Sequence, residues 1–121
     1  MEKPHKRLDV WKLAVELVVS VYRATEKFPR EERFGLTSQI RRAAVSIPSN
    51  IAEGAARKGK KEFVQFLHTA RGSLSEMDTQ LDIARELGFL DQTNWSDLNE
   101  KMERVDMTLA GLLRFQRSSH V

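Results

Sequence analysis

The stretch QIRRAAVSIPSNIAEG, residues 39–54, decides the fold because it has the periodicity of a helix and yet carries Pro48 in its middle. An interior proline removes one backbone donor and crowds the carbonyl four residues earlier, at a cost of roughly 3 kcal/mol. On a helical wheel Asn50 and Gly54 fall within or beside one apolar face, formed by Leu36, Ile40, Ala43, Ile47 and Ile51. The spacing therefore predicts a buried helix that is kinked at Pro48, with Asn50 and Gly54 serving packing near the kink. A separate polar stripe places Glu53 and Arg57 for an i,i+4 ion pair.

The periodicity of apolar residues predicts four helices in this stretch and the rest of the chain. The first covers residues 9–27, and the second begins at residue 37 and ends between residues 57 and 59. The third covers residues 60–87, and the fourth begins at residue 93 or 94 and ends at residue 117. Thr37 is predicted as an N-cap and Gly88 as a C-cap. The third helix has a bundle seam at Phe63, Leu67, Ala70, Leu74, Met77, Leu81 and Ala84, and the fourth has one at Trp95, Leu98, Met102, Val105, Leu109 and Leu112. The connections are short. The sequence therefore predicts a single all-α domain over residues 1–121, an antiparallel up-down-up-down four-helix bundle.

The first helix is apolar almost all round. Between residues 8 and 24 its clearly polar residues form one narrow stripe, namely Asp9, Lys12, Glu16, Ser20 and Arg23. A surface helix of a monomer needs an apolar stripe only a little wider than about 100°. We therefore interpret one set of residues as shared between the core and a subunit interface: Trp11, Val15, Val18, Val19 and Tyr22.

Gly72 gives a second indication of close packing between helices. It lies opposite the apolar seam of the third helix, where glycine costs about 1 kcal/mol relative to alanine. Close approach of another helix and a tolerated surface glycine are both compatible with this position.

Positive charge is concentrated in the first half of the chain. The whole chain has a net charge of +3, but residues 1–62 hold 14 Lys and Arg against 8 Asp and Glu, and residues 63–121 hold 6 against 9. The basic run RKGKK contains Arg57, Lys58, Lys60 and Lys61, and the last two oppose the positive N-terminal dipole of the third helix. A phosphate would relieve that conflict, so this run is a candidate nucleic-acid site, joined by Lys3, Lys6, Arg7 and Arg41. A solvated lysine-rich turn is the alternative.

Four segments together resemble a known family: VWKLAVELVVSVY at residues 10–22, the FP turn with FGLTSQIRRA, SIPSNIAEG at 46–54, and ARGSLSE at 70–76. In this order they resemble the four-helix-bundle proteins encoded in bacterial 23S rRNA intervening sequences. The resemblance implies a homo-oligomeric ring of bundles, typically a pentamer. It also implies kinship with the accessory variability proteins of diversity-generating retroelements, which partner a reverse transcriptase and nucleic acid. It supplies no catalytic residues.

Composition argues against several other classes of protein. The chain has no cysteine, no convincing signal peptide and no segment long enough to cross a bilayer, so a cytoplasmic protein without thiolate metal sites is expected. The three histidines His5, His68 and His120 are scattered, and the spacing of Glu2 and His5 gives one isolated ExxH. Neither a catalytic site nor a metal or other cofactor is expected. The sequence favours a non-catalytic oligomeric binding protein, a nucleic-acid (RNA) or ribonucleoprotein accessory whose basic surface contacts the nucleic-acid backbone. The alternative is a structural protein–protein assembly module that does not bind nucleic acid.

Overall fold

The computed structural model describes residues 3–118 and contains four α-helices with no strand in that range. A 3-10 helix over Pro4–Arg7 precedes α1 (Asp9–Thr25), and another over Arg30–Glu32 precedes α2 (Leu36–Ala55); α3 (Lys60–Glu86) and α4 (Gln92–Ser118) follow. The predicted all-α class and four helices are therefore confirmed. Of the described helices, none is both long and apolar enough to cross a membrane.

One apolar core joins the four helices. α2 packs most extensively on α3, α1 contacts α2 and α4, and α3 contacts α4. The predicted seams lie in this core, and the buried positions of α3 include Leu67, Ala70, Leu74, Met77, Leu81 and Ala84. The seam of α4 differs at its end, because Leu113 is buried and Leu112 only partly so.

Helix ends differ from the prediction where a side chain in a neighbouring turn takes the capping role. α2 begins at Leu36, whose amide donates to Glu32 Oε1 at 3.1 Å, so the assignment of Thr37 as N-cap was wrong. Thr37 lies inside the helix and is buried. α4 begins earlier than predicted, and Asp91 Oδ1 accepts a hydrogen bond from the Asn94 amide at 2.7 Å, as an N-cap does.

Gly88 ends α3 as predicted. Its φ of +83° lies in the left-handed region, which glycine adopts without strain. The Gly88 amide donates to Arg85 O and the Phe89 amide to Ala84 O, which is the hydrogen-bond pattern of a Schellman motif. The Phe89 ring then contacts Phe28, in the connection between α1 and α2, at 5.8 Å between centroids.

Pro48 lies inside α2 and is buried, and α2 continues without a break from Leu36 to Ala55.

Gly54, near the end of α2, lies against α3. A Cβ atom at Gly54 would stand 2.7 Å from Phe66 Cβ and 3.0 Å from Phe63 Cδ1. Only a glycine lets the end of α2 come this close to α3, which fixes where the following basic turn lies.

Candidate nucleic-acid interface

Two basic segments that are far apart in sequence meet at the turn between α2 and α3. A depression of about 370 Å³ is lined on one side by Pro4 and Leu8, and on the other by the α2–α3 turn, including Arg57, Lys58 and Lys60. The N-terminal 3-10 helix contacts both α1 and α2. Its His5 ring packs edge-on against Trp11, with centroids 4.9 Å apart. Arg57, Lys58 and Lys60 line the depression itself. We call the seven cations of the two segments the basic cluster: Lys3, Lys6, Arg7, Arg57, Lys58, Lys60 and Lys61.

All seven residues of the basic cluster are exposed. Arg57 is the most constrained, because its guanidinium lies 5.1 Å from the Phe66 ring centroid and 3.9 Å from carboxylate oxygens of both Glu53 and Glu62. The predicted pair of Glu53 with Arg57 is thus present, as a long contact. Pairs this exposed contribute little to stability, typically about 0–1 kcal/mol. Lys58 and Lys61 have no carboxylate partner in the part of the chain that the structure describes.

The start of α3 lies within the basic cluster. Gly59 is its N-cap residue and no side chain caps this end. The backbone amides of the first turn therefore have no side-chain cap, and Lys60 and Lys61 add positive charge there. Glu62, the acidic residue of this turn, lies 3.9 Å from Arg57. Amides and ammonium groups in this arrangement suit a phosphate group.

Arg41 lies apart from the basic cluster. It is about 20 Å along the axis of α2 from that helix's C-terminal end. Its Nε donates to Thr25 Oγ1 at 2.9 Å, its Nη2 donates to Tyr22 O at 3.2 Å, and its guanidinium stacks 4.5 Å from the Tyr22 ring centroid. These contacts hold α2 against the end of α1, so the geometry gives Arg41 a structural role.

The five candidate interface residues of α1 lie beside the core rather than in it. The fully buried positions of the helix are Val10, Ala14, Leu17 and Val21. Trp11, Val15 and Val18 are partly buried, whereas Val19 and Tyr22 are 43% and 39% exposed. On α2, which packs against α1, Val45 is also 40% exposed. An apolar strip on α1 is therefore left partly uncovered in the single chain.

Asn50 belongs to a polar cluster between α2 and α3 and lies outside the basic cluster. Its Nδ2 donates to Ser46 O at 2.8 Å and to Ser46 Oγ at 2.9 Å, and Ser46 Oγ shares a 2.8 Å hydrogen bond with Ser73 on α3. The amide thus orients the serine that joins the two helices.

We expect Asn50→Leu to lower the free energy of unfolding by about 1–3 kcal/mol, because it removes the donor to the partly buried hydroxyl of Ser46 and to the Ser46 carbonyl. Chemical denaturation of wild type and variant measures the effect. Ser49→Leu, at the exposed neighbouring position, is the matched control and should change stability by less than about 0.5 kcal/mol. Equal stabilities for wild type and Asn50→Leu would contradict the assigned role.

The two histidines that the structure describes lie on different elements. His5 packs on Trp11 and His68 lies on α3, while Glu2 and His120 fall outside the described residues. Within residues 3–118, no group of three or more His, Asp or Glu side chains is placed to hold a metal ion.

Comparison with known proteins agrees with this architecture. A solved structure of a protein of unknown function from the S23 ribosomal protein family of Bacteroides thetaiotaomicron superposes with a TM-score of 0.80 at 18% sequence identity, covering 87% of this chain and 95% of that one. At this identity the likeness shows the fold alone. No curated protein matches the chain. The model of the family described as 23S rRNA-intervening sequence protein matches residues 6–111. This match spans all but the ends of the sequence, and the chain belongs to the 23S rRNA-intervening sequence protein family.

Proposed function

We propose that this protein is a non-catalytic, oligomeric binding protein that holds the RNA backbone on its basic cluster. The observation that carries the proposal is that the basic N-terminal segment folds onto α2, where its Pro4 lines the same depression as Arg57, Lys58 and Lys60 of the α2–α3 turn. Because the cluster draws on two segments that are distant in sequence, it depends on the fold. A solvated lysine-rich turn, in contrast, would involve one segment only. The uncapped start of α3 adds backbone donors to the same place.

The recognition that we propose is largely independent of base sequence. Ammonium and guanidinium groups and helix-terminal amides contact phosphates, which carry charge but no sequence information. Titration of the purified protein with RNA and with single-stranded DNA at several salt concentrations tests the proposal. Binding that weakens steeply with salt supports it, and the absence of binding at low salt contradicts it.

The helix arrangement that we propose is the antiparallel up-down-up-down bundle, with α2 bent at Pro48. Two pairs of contacts support it. Between α2 and α3, Ser46 meets Ser73 and Gly54 meets Phe63, so residue numbers rise on one helix as they fall on the other. Between α3 and α4 the same holds, as Arg71 bonds Asp106 and Asp82 bonds Trp95. The bend follows from the missing donor at Pro48 and the crowded carbonyl of Ala44.

The oligomer that we propose uses the apolar strip of α1, and a ring of five is the form that the family resemblance implies. We expect light scattering coupled to size exclusion to report several times the 13.9 kDa mass of the chain. Burial of Val19 and Tyr22 in a partner is the physical reason, since they are 43% and 39% exposed in the single chain. A 13.9 kDa particle at micromolar concentration would contradict the oligomer.

A structural assembly module that binds another protein is the second candidate function. The exposed strip of α1 is the observation that favours it, because an apolar surface serves protein contacts irrespective of nucleic acid. The two functions predict different results when the protein is purified and tested for bound nucleic acid. Retained nucleic acid supports the first, and an absorbance ratio typical of pure protein with no RNA binding at low salt supports the second.

A further inference from the structure

A groove of about 660 Å³ runs along the surface between α3 and α4. Gly72 lines it, and a Cβ atom at Gly72 would meet no atom within 4 Å. Thus no other helix within residues 3–118 occupies the space beside Gly72. Glycine inside an exposed helix costs about 1 kcal/mol relative to alanine, and a close approach from outside the chain gives a physical reason for it.

The charged groups of the groove leave an excess of negative charge. Arg71 and Asp106 pair with each other at 2.9 Å. Asp78 and Glu103 also line the groove, and neither has a cationic partner among residues 3–118. Desolvation by burial, together with the nearby charge of Asp82, raises the pKa of Asp78 above its usual value.

The groove also has an apolar component. Met107 lines it and is 73% exposed, and the buried Met102 and Leu74 lie beneath. Methionine adapts its shape to an incoming apolar side chain. A helix that presents apolar side chains flanked by cations would therefore match the groove in both polarity and charge.

This chain carries such a helix face itself. On α1 the partly exposed Val15 and Val19 lie beside the polar stripe, in which the exposed cations Lys12 and Arg23 are about 16 Å apart along the axis with Glu16 between them. Neither cation has a carboxylate partner in the described part of the chain. Among these residues α1 and α3 are not packed side by side, so the strip does not cover the groove of its own chain.

Building on the oligomer proposed above, we propose that the α1 strip of each subunit docks in the α3–α4 groove of the next. Opposite charges meet in this contact, since Lys12 and Arg23 approach the side that carries Asp78 and Glu103. Residues 1–62, which include α1, carry a net positive charge, and residues 63–121, which include α3 and α4, carry a net negative charge. This difference also favours a contact between α1 of one subunit and the groove of another. The contact joins two different surfaces, so it is heterologous and propagates from subunit to subunit until a ring closes.

Two variants that block opposite sides of the contact provide the test. Gly72→Leu fills the groove and replaces glycine with a better helix former, while Val19→Glu places a charge in the strip. We expect each variant alone to have a mass near 13.9 kDa in light scattering. An equimolar mixture should form a dimer of twice that mass, because the strip of the Gly72→Leu chain still fits the groove of the Val19→Glu chain.

The controls separate blocking from misfolding. Gln39→Leu adds the same side chain at an exposed position of α2, on the side that faces α3, and should keep the wild-type mass. Circular dichroism should show that both blocking variants retain wild-type helix content. A Gly72→Leu protein with the wild-type mass overturns the docking while leaving the oligomer in place. A mixture of two monomeric variants that forms no dimer also overturns it, whereas a monomeric wild type would instead refute the oligomer itself.

Discussion

Gly54→Ala is expected to lower the free energy of unfolding by about 1–3 kcal/mol, although alanine is the better helix former. The added methyl group would stand 2.7 Å from Phe66 Cβ, an atom close to the backbone of α3 that no rotamer change can move. The two helices must separate, and the packing of Phe63 on α2 is lost with them. For a domain of this size the change corresponds to a drop of roughly 5–15 °C in Tm.

Gly111→Ala is the matched control for this prediction. Gly111 also lies inside a helix, but a Cβ atom there would meet only the end of the Arg114 side chain, at 3.8 Å. The same chemical change should therefore stabilise the protein, by up to about 1 kcal/mol. Thermal melts of both variants measure whether Tm falls or rises relative to wild type. A Gly54→Ala protein that melts at or above the wild-type temperature would show that α2 and α3 can separate without loss of stability.

The four helices were predictable because each seam alternates by three and four residues over many turns. Local capping was less predictable, since Glu32 reaches the start of α2 only through the 3-10 helix at Arg30–Glu32. The end of the α4 seam was also missed, because Leu112 and Leu113 are adjacent and equally apolar. The close contact at Gly54 depends on the packing of two aromatic rings from another helix, and no property of residues 39–54 carries that information.

The candidate site could be predicted only in part from the sequence. Both basic segments were recognised separately, but their convergence requires the N-terminal 3-10 helix to fold back onto α2, with His5 packed on Trp11. Arg41 looked equivalent to the other cations, whereas it is bound to Thr25 and Tyr22. The α3–α4 groove had a single indication, Gly72, because the carboxylates of Asp78 and Glu103 resemble ordinary solvated side chains in the sequence.

Replacing Arg57, Lys58, Lys60 and Lys61 by glutamine is expected to weaken RNA binding on the order of 100-fold at low salt. Each phosphate that a cation neutralises releases condensed counterions, so affinity and its salt dependence fall together. For single-stranded RNA the slope of log affinity against log salt should decrease in magnitude by up to about 3. Glutamine keeps a long, helix-tolerant side chain, and the exposed contacts of Arg57 with Glu53 and Glu62 contribute little to stability, so the fold should persist.

A second quadruple variant separates a local site from the effect of net charge. Glutamine at Lys27, Arg30, Arg33 and Arg42 removes four exposed cations that lie in and around the turn before α2 and in its first half, away from the basic cluster. Both variants lose the same charge, so long-range attraction for RNA decreases similarly in both. If the basic cluster contacts phosphates, only the first variant loses the steep salt dependence. Equal losses of affinity in the two variants would mean that RNA responds to the overall charge of the protein, and an unchanged salt slope in the first would leave Arg57, Lys58, Lys60 and Lys61 as a solvated turn.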